Sequence, residues 1–581
     1  MRRVRPLANA ITATCIVALL AGCATQRQAG SDEIVTTGSK VAEASGRTRS
    51  DPSGPPPPPP PPPAIHQQQQ VTADASRAAP AANGRIAREE RYAGSFVRPV
   101  IVPVDPGTER YDGKDISPVK IARTDPVSTF SVDVDTGAYA NTRRFLTAGQ
   151  LPPKDAVRSE ELINYFRYNY AMPASRGAPF SVNTDVAISP WNAETRLLRI
   201  GLRGYDLPRT ARPPANLVFL VDVSGSMSSA DKLPLVKTAL AGLAGELSAR
   251  DKVSIVVYAG AAGLVLEPTS DEGKIRSALE RLSAGGSTAG GAGLQLAYQV
   301  ARDNFITGGV NRILLATDGD FNVGVSDTGA LIEMVERERD RGVTLTTLGF
   351  GEGNYNEAMM EQIANKGNGN YAYIDSALEA RKVLGDQMSS TLFTIAKDVK
   401  IQVEFNPAQV SQYRLLGYEN RALREEDFNN DKVDAGDIGA GHQVTAIYEI
   451  VPAGARGWND PRRYEPVAPQ GDARGGELAF VKLRYKLPDG TTSRLIERPV
   501  SASLMRTAAR PTGDFAFATA VAAFGQRLRG DPMLGGFSHA QIAGLAGRQN
   551  DFWRQEFVRL VGLAGSLAGN DRNVERDREG G

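Results

Sequence analysis

The hydrophobic and polar positions of this chain follow two different periods, and the pattern changes near residues 216 and 394. Between these positions, short continuous apolar runs alternate with stretches in which apolar residues recur every three or four positions. The run at 217–221 is typical of a strand buried on both faces of a parallel sheet. The stretch after it presents one apolar face of a helix, at Leu233, Val236, Leu240, Leu243 and Leu247.

The same reasoning extends through the central segment. It predicts further strands at 253–258, 313–317 and 345–350, and helices at 272–282 and 289–305. Strands that alternate with helices indicate an α/β fold with a doubly wound, mostly parallel sheet. Ligands of such sheets bind beyond the carboxyl ends of the strands.

Outside the central segment the alternation of a half-buried strand dominates. It predicts strands at 127–135, two within 180–204, and others at 399–405, 444–451 and 478–487. Helices are predicted at 136–146, 159–166, 515–528 and 552–567, the first of them capped by Asp135 or Thr136. We predict that the strands of 180–204 join the later ones in one β-rich sandwich, because the central segment would then emerge between neighbouring strands.

The stretch from residue 24 to about 94 lacks hydrophobic periodicity. It contains an unbroken proline run at 55–63, followed by glutamines at 67–70. The prolines predict a polyproline II rod of roughly 28 Å at ~3.1 Å per residue. The remainder is expected to be disordered, so we interpret the stretch as a tether.

The N-terminus indicates export. Arg2, Arg3 and Arg5 precede an apolar stretch at 7–22 that is short for a membrane span. Its end, Leu20-Ala21-Gly22-Cys23, resembles a bacterial lipobox. The resemblance implies cleavage before Cys23 and a diacylglycerol anchor, with acyl chains such as palmitate. Alanine after the cysteine favours the outer membrane, facing the periplasm. An ordinary secretory signal with an incidental cysteine is the alternative.

Composition narrows the class further. The net charge of the 581 residues is +1, which gives no indication of a nucleic-acid partner. The two cysteines are Cys15, within the signal, and Cys23, so no disulfide is expected in the mature domains. The three histidines, His66, His442 and His539, lie far apart in sequence, which argues against a zinc site.

The candidate chemistry follows two of the predicted buried strands. Asp222-x-Ser224-x-Ser226 ends the first, and Asp318 ends another. Thr288 lies in a glycine-rich loop between them. Oxygen ligands two residues apart at the end of a strand can converge on one hard cation.

These residues, in this order, resemble the metal-ion-dependent adhesion site of von Willebrand factor type A (VWA) domains. The resemblance implies that Ser224, Ser226 and Thr288 coordinate through their hydroxyls. Asp222 and Asp318 would act through bound waters or hydrogen bonds. The expected cation is Mg²⁺, with Mn²⁺ or Ca²⁺ as alternatives. Neutral ligands would leave the cation electrophilic, so that a carboxylate of a partner protein could complete the octahedron.

The flanking segments narrow the resemblance. Residues 126–140, 151–157, 161–166, 416–421 and 434–442 resemble the N-terminal and C-terminal modules of the YfbK-type VWA lipoproteins. The resemblance divides the chain into a signal peptide 1–22, a tether 23–94, an N-terminal module 95–210, a VWA domain 211–395, a β-rich module 396–510 and a helical tail 511–581. It also implies that the last helix of the VWA domain lies at about 378–394, directly before the β-rich module.

Three other motifs favour different chemistry but are incomplete. Asp133-x-Asp135-Thr136 places its threonine one residue too early for a haloacid-dehalogenase phosphatase. Ser229-x-x-Lys232 lacks the companion motifs of penicillin-binding proteins. The loop from Asp427 has Lys432 where an EF-hand has glycine. A solvated acidic loop is the favoured interpretation of this last stretch, with calcium binding left open.

We therefore predict a lipid-anchored periplasmic binding module that is not an enzyme. It would dock an acidic group of an unidentified protein partner through Mg²⁺, without a nucleic-acid or small-molecule substrate. The alternative is a structural envelope protein in which the metal only stabilises loops, and the remote alternative is a hydrolase.

Overall fold

The computed structural model describes residues 109–132, 135–174, 177–286, 290–319, 328–353, 355–433, 435–460 and 475–579. The proposed signal, Cys23 and the tether therefore lie outside the described residues, as does Thr288. No helix in these ranges is long and apolar enough to cross a membrane.

The elements are numbered in chain order within the described residues. The strands are β1 Lys120–Ile121, β2 Val127–Ser131, β3 Phe180–Ile188, β4 Arg196–Gly204, β5 Ala215–Asp222, β6 Lys252–Tyr258, β7 Ala262–Thr269, β8 Val310–Thr317, β9 Thr344–Phe350, β10 Tyr371–Ile374, β11 Thr394–Phe405, β12 Val410–Leu415, β13 Ala422–Leu423, β14 Ile438–Gly439, β15 Gln443–Pro452, β16 Glu477–Lys486 and β17 Ser493–Ser501. The helices are α1 Gly137–Thr147, α2 Ser159–Asn164, α3 Leu233–Ala244, α4 Glu272–Glu280, α5 Gly290–Asp303, α6 Thr328–Asp340, α7 Glu357–Lys366, α8 Ala377–Arg381, α9 Met388–Leu392, α10 Ser503–Arg506, α11 Gly513–Arg529, α12 His539–Ala546 and α13 Phe552–Glu579.

The central segment forms a six-stranded sheet in the order β10-β9-β8-β5-β6-β7. Five strands are parallel, and β7 runs antiparallel to β6 at one edge. Every residue of β5 is buried. Phe219 packs in one core with α3, whereas Val218 and Leu220 pack in another with α5. This confirms the doubly wound α/β fold, because successive residues of a strand point to opposite faces.

The flanking segments form two further sheets, β1-β12-β15-β4-β3 and β13-β2-β11-β16-β17. β4 precedes the central segment and β15 follows it, yet they pair antiparallel from Arg196 to Arg203. β2 likewise pairs with β11. Side chains from both sheets, including Ile200 and Val481, share one core. The prediction that the strands of 180–204 join the later ones is confirmed.

The helix predicted at 378–394 is wrong as a continuous helix. A π-helical turn, Lys382–Asp386, separates α8 from α9, and β11 begins at Thr394. The turn begins at a lysine whose buried ammonium donates to the Tyr165 carbonyl oxygen at 3.0 Å. Single π-helical turns of this kind occur as bulges that interrupt an α-helix.

The capping of α1 also differs from the prediction. Thr136 occupies the N-cap position, but its side chain makes no capping hydrogen bond. The Asp135 carboxylate instead accepts from the Tyr371 backbone N–H at 2.8 Å. The Ala138 backbone N–H, in the first turn of α1, donates to the Glu161 carboxylate at 2.9 Å. Gly137 is required here, since a Cβ would lie 2.3 Å from the Tyr371 ring.

Both predicted helices of the tail are present, as α11 and α13. Phe517 and Phe524 of α11 are completely buried, as their spacing on one helical face predicts. They pack on Phe557 of α13 with ring centroids 5.3 and 5.5 Å apart. The tail helices share their core with α1, α2 and strand β4 through residues such as Leu197.

Four buried arginines connect the central sheet, the sandwich and the tail. We call this group the arginine junction: Arg143, Arg158, Arg414 and Arg421. Each pairs with two or more carboxylates. The partners are Asp375, Glu379 and Glu556 for Arg143; Glu161 and Glu361 for Arg158; Glu449 and Asp531 for Arg414; and Asp135 and Glu361 for Arg421.

Candidate metal site

Two predicted site residues lie side by side at the carboxyl edge of the central sheet. Asp222 is the last residue of β5, and Asp318 follows the end of β8. The two strands are parallel neighbours, with Val221 opposite Ala316. Both carboxylates are buried, with exposed fractions of 0% for Asp222 and 1% for Asp318.

Asp222 is held by donors from three directions. Its Oδ1 accepts the Ser224 backbone N–H at 2.8 Å. Its Oδ2 accepts the hydroxyls of Tyr258, at 3.1 Å, and Thr317, at 3.2 Å. Burial raises the pKa of the Asp222 carboxyl and the nearby Asp318 adds to the rise, whereas the hydrogen bonds from Ser224 and Tyr258 oppose it. The carboxylate is thus fixed in orientation before any cation binds.

The two serines of the motif turn their hydroxyls toward each other. They lie at the start of a 3₁₀ turn, Gly225–Ser228, and their Oγ atoms are 3.0 Å apart. Two ligands at right angles, each about 2.1 Å from Mg²⁺, are also separated by about 3.0 Å. The spacing of this pair of oxygens therefore fits one edge of a magnesium octahedron.

The glycine-rich loop that carries Thr288 is bonded to the serine loop. Gly285 N–H donates to the Val223 carbonyl oxygen at 2.8 Å, and Gly225 N–H donates to the Gly286 carbonyl oxygen at 3.0 Å. Thr288 itself lies outside the described residues, two positions beyond Gly286. The structure thus brings together Asp222, Ser224, Ser226 and Asp318. Gly285 and Gly286, which precede Thr288 in the chain, are hydrogen-bonded to the same loop.

One residue of the site was missed by sequence reasoning. The Lys232 ammonium lies 2.9 Å from Asp318 Oδ2, and both side chains are buried. The Ser229-x-x-Lys232 spacing, which lacks the companion motifs of a catalytic site, does not indicate this contact. The available signal in the sequence was a lysine directly before the first residue of the predicted helix, six positions after Ser226.

The described residues contain no group of three or more histidine, cysteine, aspartate or glutamate side chains that could hold a metal ion. The donor set at this edge instead consists of hydroxyls and two carboxylates, which suits a hard cation such as Mg²⁺. His442 is partly buried, with its Nε2 atom enclosed, and desolvation lowers the pKa of its imidazole to about 3.

The acidic loop beginning at Asp427 has partners of its own. Asp427 pairs with Arg424 at 3.0 Å, and Asp431 pairs with Arg484 at 3.0 Å. The hydrogen bond from Arg424 lowers the pKa of the Asp427 carboxyl, and hydrogen bonds from Ser493 and then Arg484 lower the pKa of the Asp431 carboxyl. The two carboxylates are therefore directed to arginines of this loop and of β16.

Three family models match the chain. "von Willebrand factor" matches residues 105–199, "von Willebrand factor type A domain" matches 216–387, and "YfbK, C-terminal" matches 390–567. The VWA match covers the central sheet and the site described above. VWA domains are protein–protein interaction modules, so this is the general role of the central segment.

Two relatives from bacteria show the extent of the similarity. The chain is 46% identical to the uncharacterized protein YfbK of Escherichia coli K12 over 497 residues, covering 83% of this chain and 86% of that protein. It is 34% identical to the uncharacterized protein sll0103 of Synechocystis over 244 residues, covering 40% of this chain and 57% of that protein.

Among solved structures, the von Willebrand factor type A protein from Catenulispora acidiphila aligns at 18% identity and a TM-score of 0.35, covering 66% of this chain and 88% of that one. BatB from Bacteroides thetaiotaomicron aligns at 26% identity and a TM-score of 0.26, covering 30% of this chain and 97% of that one. With the sequence matches along nearly the whole folded part, the chain belongs to the YfbK family of VWA-domain proteins.

Proposed function

We propose that this protein is a lipid-anchored envelope protein whose VWA domain captures an acidic group of another protein through Mg²⁺. Ser224, Ser226 and Thr288 would hold the cation, with Asp222 and Asp318 behind them. The observation that carries the proposal is the pair of serine hydroxyls, 3.0 Å apart, in front of the buried Asp222 carboxylate.

The ligand set explains why the partner would be acidic. Hydroxyls are neutral, so direct coordination by them leaves the positive charge of the cation largely available to one more ligand. A carboxylate oxygen from a partner is a hard donor that satisfies the remaining position of the octahedron. The bound cation would also offset the cost of burying Asp222, whose pKa is raised by burial.

The envelope location rests on the N-terminal sequence. The lipobox-like Leu20-Ala21-Gly22-Cys23 would place a lipid on Cys23, and the proline-containing tether would hold the folded part away from the membrane. Cys23→Ala should abolish labelling by radioactive palmitate and release the protein from the membrane fraction. Unchanged labelling would contradict the anchor.

The binding function is tested by recovery of partners from solubilised envelope. The full chain with Mg²⁺ should retain at least one protein that is lost with EDTA. Ser226→Ala and Thr288→Ala should lose the same protein. Ser229→Ala is the matched control, because this serine lies in the same loop but is exposed. An identical set of partners with EDTA and with Mg²⁺ would contradict metal-dependent capture.

A thermal measurement separates this function from a purely structural role of the metal. Mg²⁺ at about 100 times its Kd should stabilise the protein by about 2.7 kcal/mol in either case. Only capture predicts that partner recovery disappears in Ser226→Ala while the fold is retained. Loss of thermal stabilisation with no change in any interaction would favour the structural role.

A further inference from the structure

Lys232 places a fixed positive charge inside a site whose other features suit a cation. We propose that Lys232 is a permanent counter-charge of Asp318, which stays in place when a divalent cation binds. It would weaken binding of the cation and strengthen binding of the anionic ligand that the cation recruits. This inference rests on the proposed function.

The first support is the contact itself. The Lys232 Nζ atom lies 2.9 Å from Asp318 Oδ2, and the exposed fractions of the two side chains are 9% and 0%. An ion pair so poorly hydrated is screened far less than a pair on the surface. Lys232 therefore changes the charge that any ligand of the site experiences.

The second support is the way in which the lysine is held. Gly351 follows β9 with a φ of +75°, and a Cβ there would lie 2.3 Å from Cγ and 2.5 Å from Cε of Lys232. The aliphatic part of the lysine thus lies directly across the backbone of this turn. A side chain packed in this way is not free to swing away from Asp318 when a cation enters.

The backbone of Lys232 is fixed as well. Its N–H donates to the Ser229 carbonyl oxygen at 3.1 Å, and its carbonyl oxygen accepts the Val236 N–H at 2.9 Å as α3 begins. The serine loop and the lysine are therefore parts of one short connection between β5 and α3. Their relative position is set by local hydrogen bonds.

The net charge of the site determines how strongly the metal-bound site attracts an anionic ligand. Asp222 and Asp318 contribute −2, which a divalent cation cancels to zero. With Lys232 in place the sum is +1, so the loaded site carries a net positive charge. A metal-bound site with no net charge would attract a carboxylate only weakly. A metal-bound site with a net positive charge attracts the carboxylate wherever solvent does not screen the charge.

Two titrations of the detergent-solubilised full chain test the proposal. Mg²⁺ binding is measured by calorimetry. Acetate is then added to the Mn²⁺-saturated protein, and displacement of metal-bound water is followed by water-proton relaxation. In Lys232→Met we expect the cation to bind about tenfold more tightly and acetate to bind several-fold more weakly. Lys232→Arg should resemble the wild type in both titrations.

Lys237→Met is the matched control, because Lys237 lies on the same helix and donates to the carbonyl oxygen of Glu280 rather than to Asp318. If Lys232→Met does not fold, Lys232→Gln removes the charge but keeps a donor for Asp318, and the same two shifts are expected. Tighter cation binding with unchanged acetate binding would show a lysine that the cation displaces, which overturns the proposal. Unchanged values in both titrations also overturn it, whereas no Mg²⁺ binding by the wild type would instead refute the proposed function.

Discussion

The candidate metal site and the arginine junction both bury charged side chains, but they balance them differently. In the junction each arginine contacts two or more carboxylates, and the Arg414 group with Glu449 and Asp531 is fully enclosed. At the metal site Lys232 pairs with Asp318, whereas Asp222 accepts hydrogen bonds from two hydroxyls and a backbone N–H, and the nearby Ser226 hydroxyl is partly exposed. The junction is built for fixed protein partners, whereas the site combines fixed charges with oxygens that a small cation can use.

The two regions should also respond differently to substitution. Truncating a residue of the junction leaves other charges buried without compensation, which strongly destabilises a fold. Changing a hydroxyl of the metal site leaves no such charge. We therefore expect variants of the junction to affect stability and variants of the site to affect binding.

The largest effect should come from Arg414→Met. Glu449 and Asp531 would remain buried without their cation, although Trp191 and Thr195 still donate to Glu449. The free energy of unfolding should fall by about 3–5 kcal/mol, as measured by denaturant unfolding. Arg424→Met is the control, because that arginine is exposed and should cost no more than about 0.5 kcal/mol. Equal losses of unfolding free energy in Arg414→Met and Arg424→Met would contradict the view that the buried junction controls stability.

The second effect concerns pH, through Glu357 on α7. Burial raises its pKa to about 8, with neighbouring carboxylates adding to the rise and Arg158 opposing it. Between the ordinary value of 4.5 and about 8, the folded state binds more protons than the unfolded state, so stability falls as the pH rises. Above that window the full cost of the ionised carboxylate is present.

Glu357→Gln should therefore stabilise the protein by at least about 1–2 kcal/mol at pH 8.5, and the gain should shrink toward pH 5. Thermal unfolding across this range measures the difference. Glu333→Gln, at an exposed position of α6, should show no such pH dependence. A gain that is independent of pH would contradict the assignment to ionisation.

The smallest effect should come from Tyr258→Phe, which removes one donor to Asp222. We expect a loss of about 1 kcal/mol in stability, and Mg²⁺ binding about tenfold weaker, since the tyrosine orients the carboxylate. Tyr298→Phe is the matched control, because its buried hydroxyl has no hydrogen-bond partner among the described residues. Equal Mg²⁺ affinities in the two variants would show that Tyr258 does not support the site.

The two regions also differ in how far they could be predicted from the sequence. Asp222 is the last residue of one buried strand, Ser224 lies two positions later, and Asp318 follows another buried strand, so the carboxyl edge of a parallel sheet brings them together. Arg414 and Asp531 are 117 positions apart, and no local pattern indicates that they meet. Such pairs depend on how the sandwich and the tail pack, which periodicity does not reveal.

Other differences have similar physical origins. β7 was not predicted because it lies at the edge of the sheet, and its residues are only partly buried or exposed, so it lacks a clear alternation. The π-helical turn interrupts the stretch in which the resemblance to VWA domains implies one continuous last helix. The role of Lys232 was not predicted because it depends on contact with Asp318, which is 86 positions away in sequence and comes close only in the folded sheet.

The pairing of β4 with β15 and of β2 with β11 has a consequence for the order of folding. The central sheet uses only the chain from Ala215 to Ile374, so its strands can assemble as soon as that stretch is available. The sandwich is complete only when Ser501 has been added, and its closing contacts span more than 200 residues. Contacts of such high contact order form slowly. We therefore expect the VWA domain to fold first and the sandwich to close around its two ends.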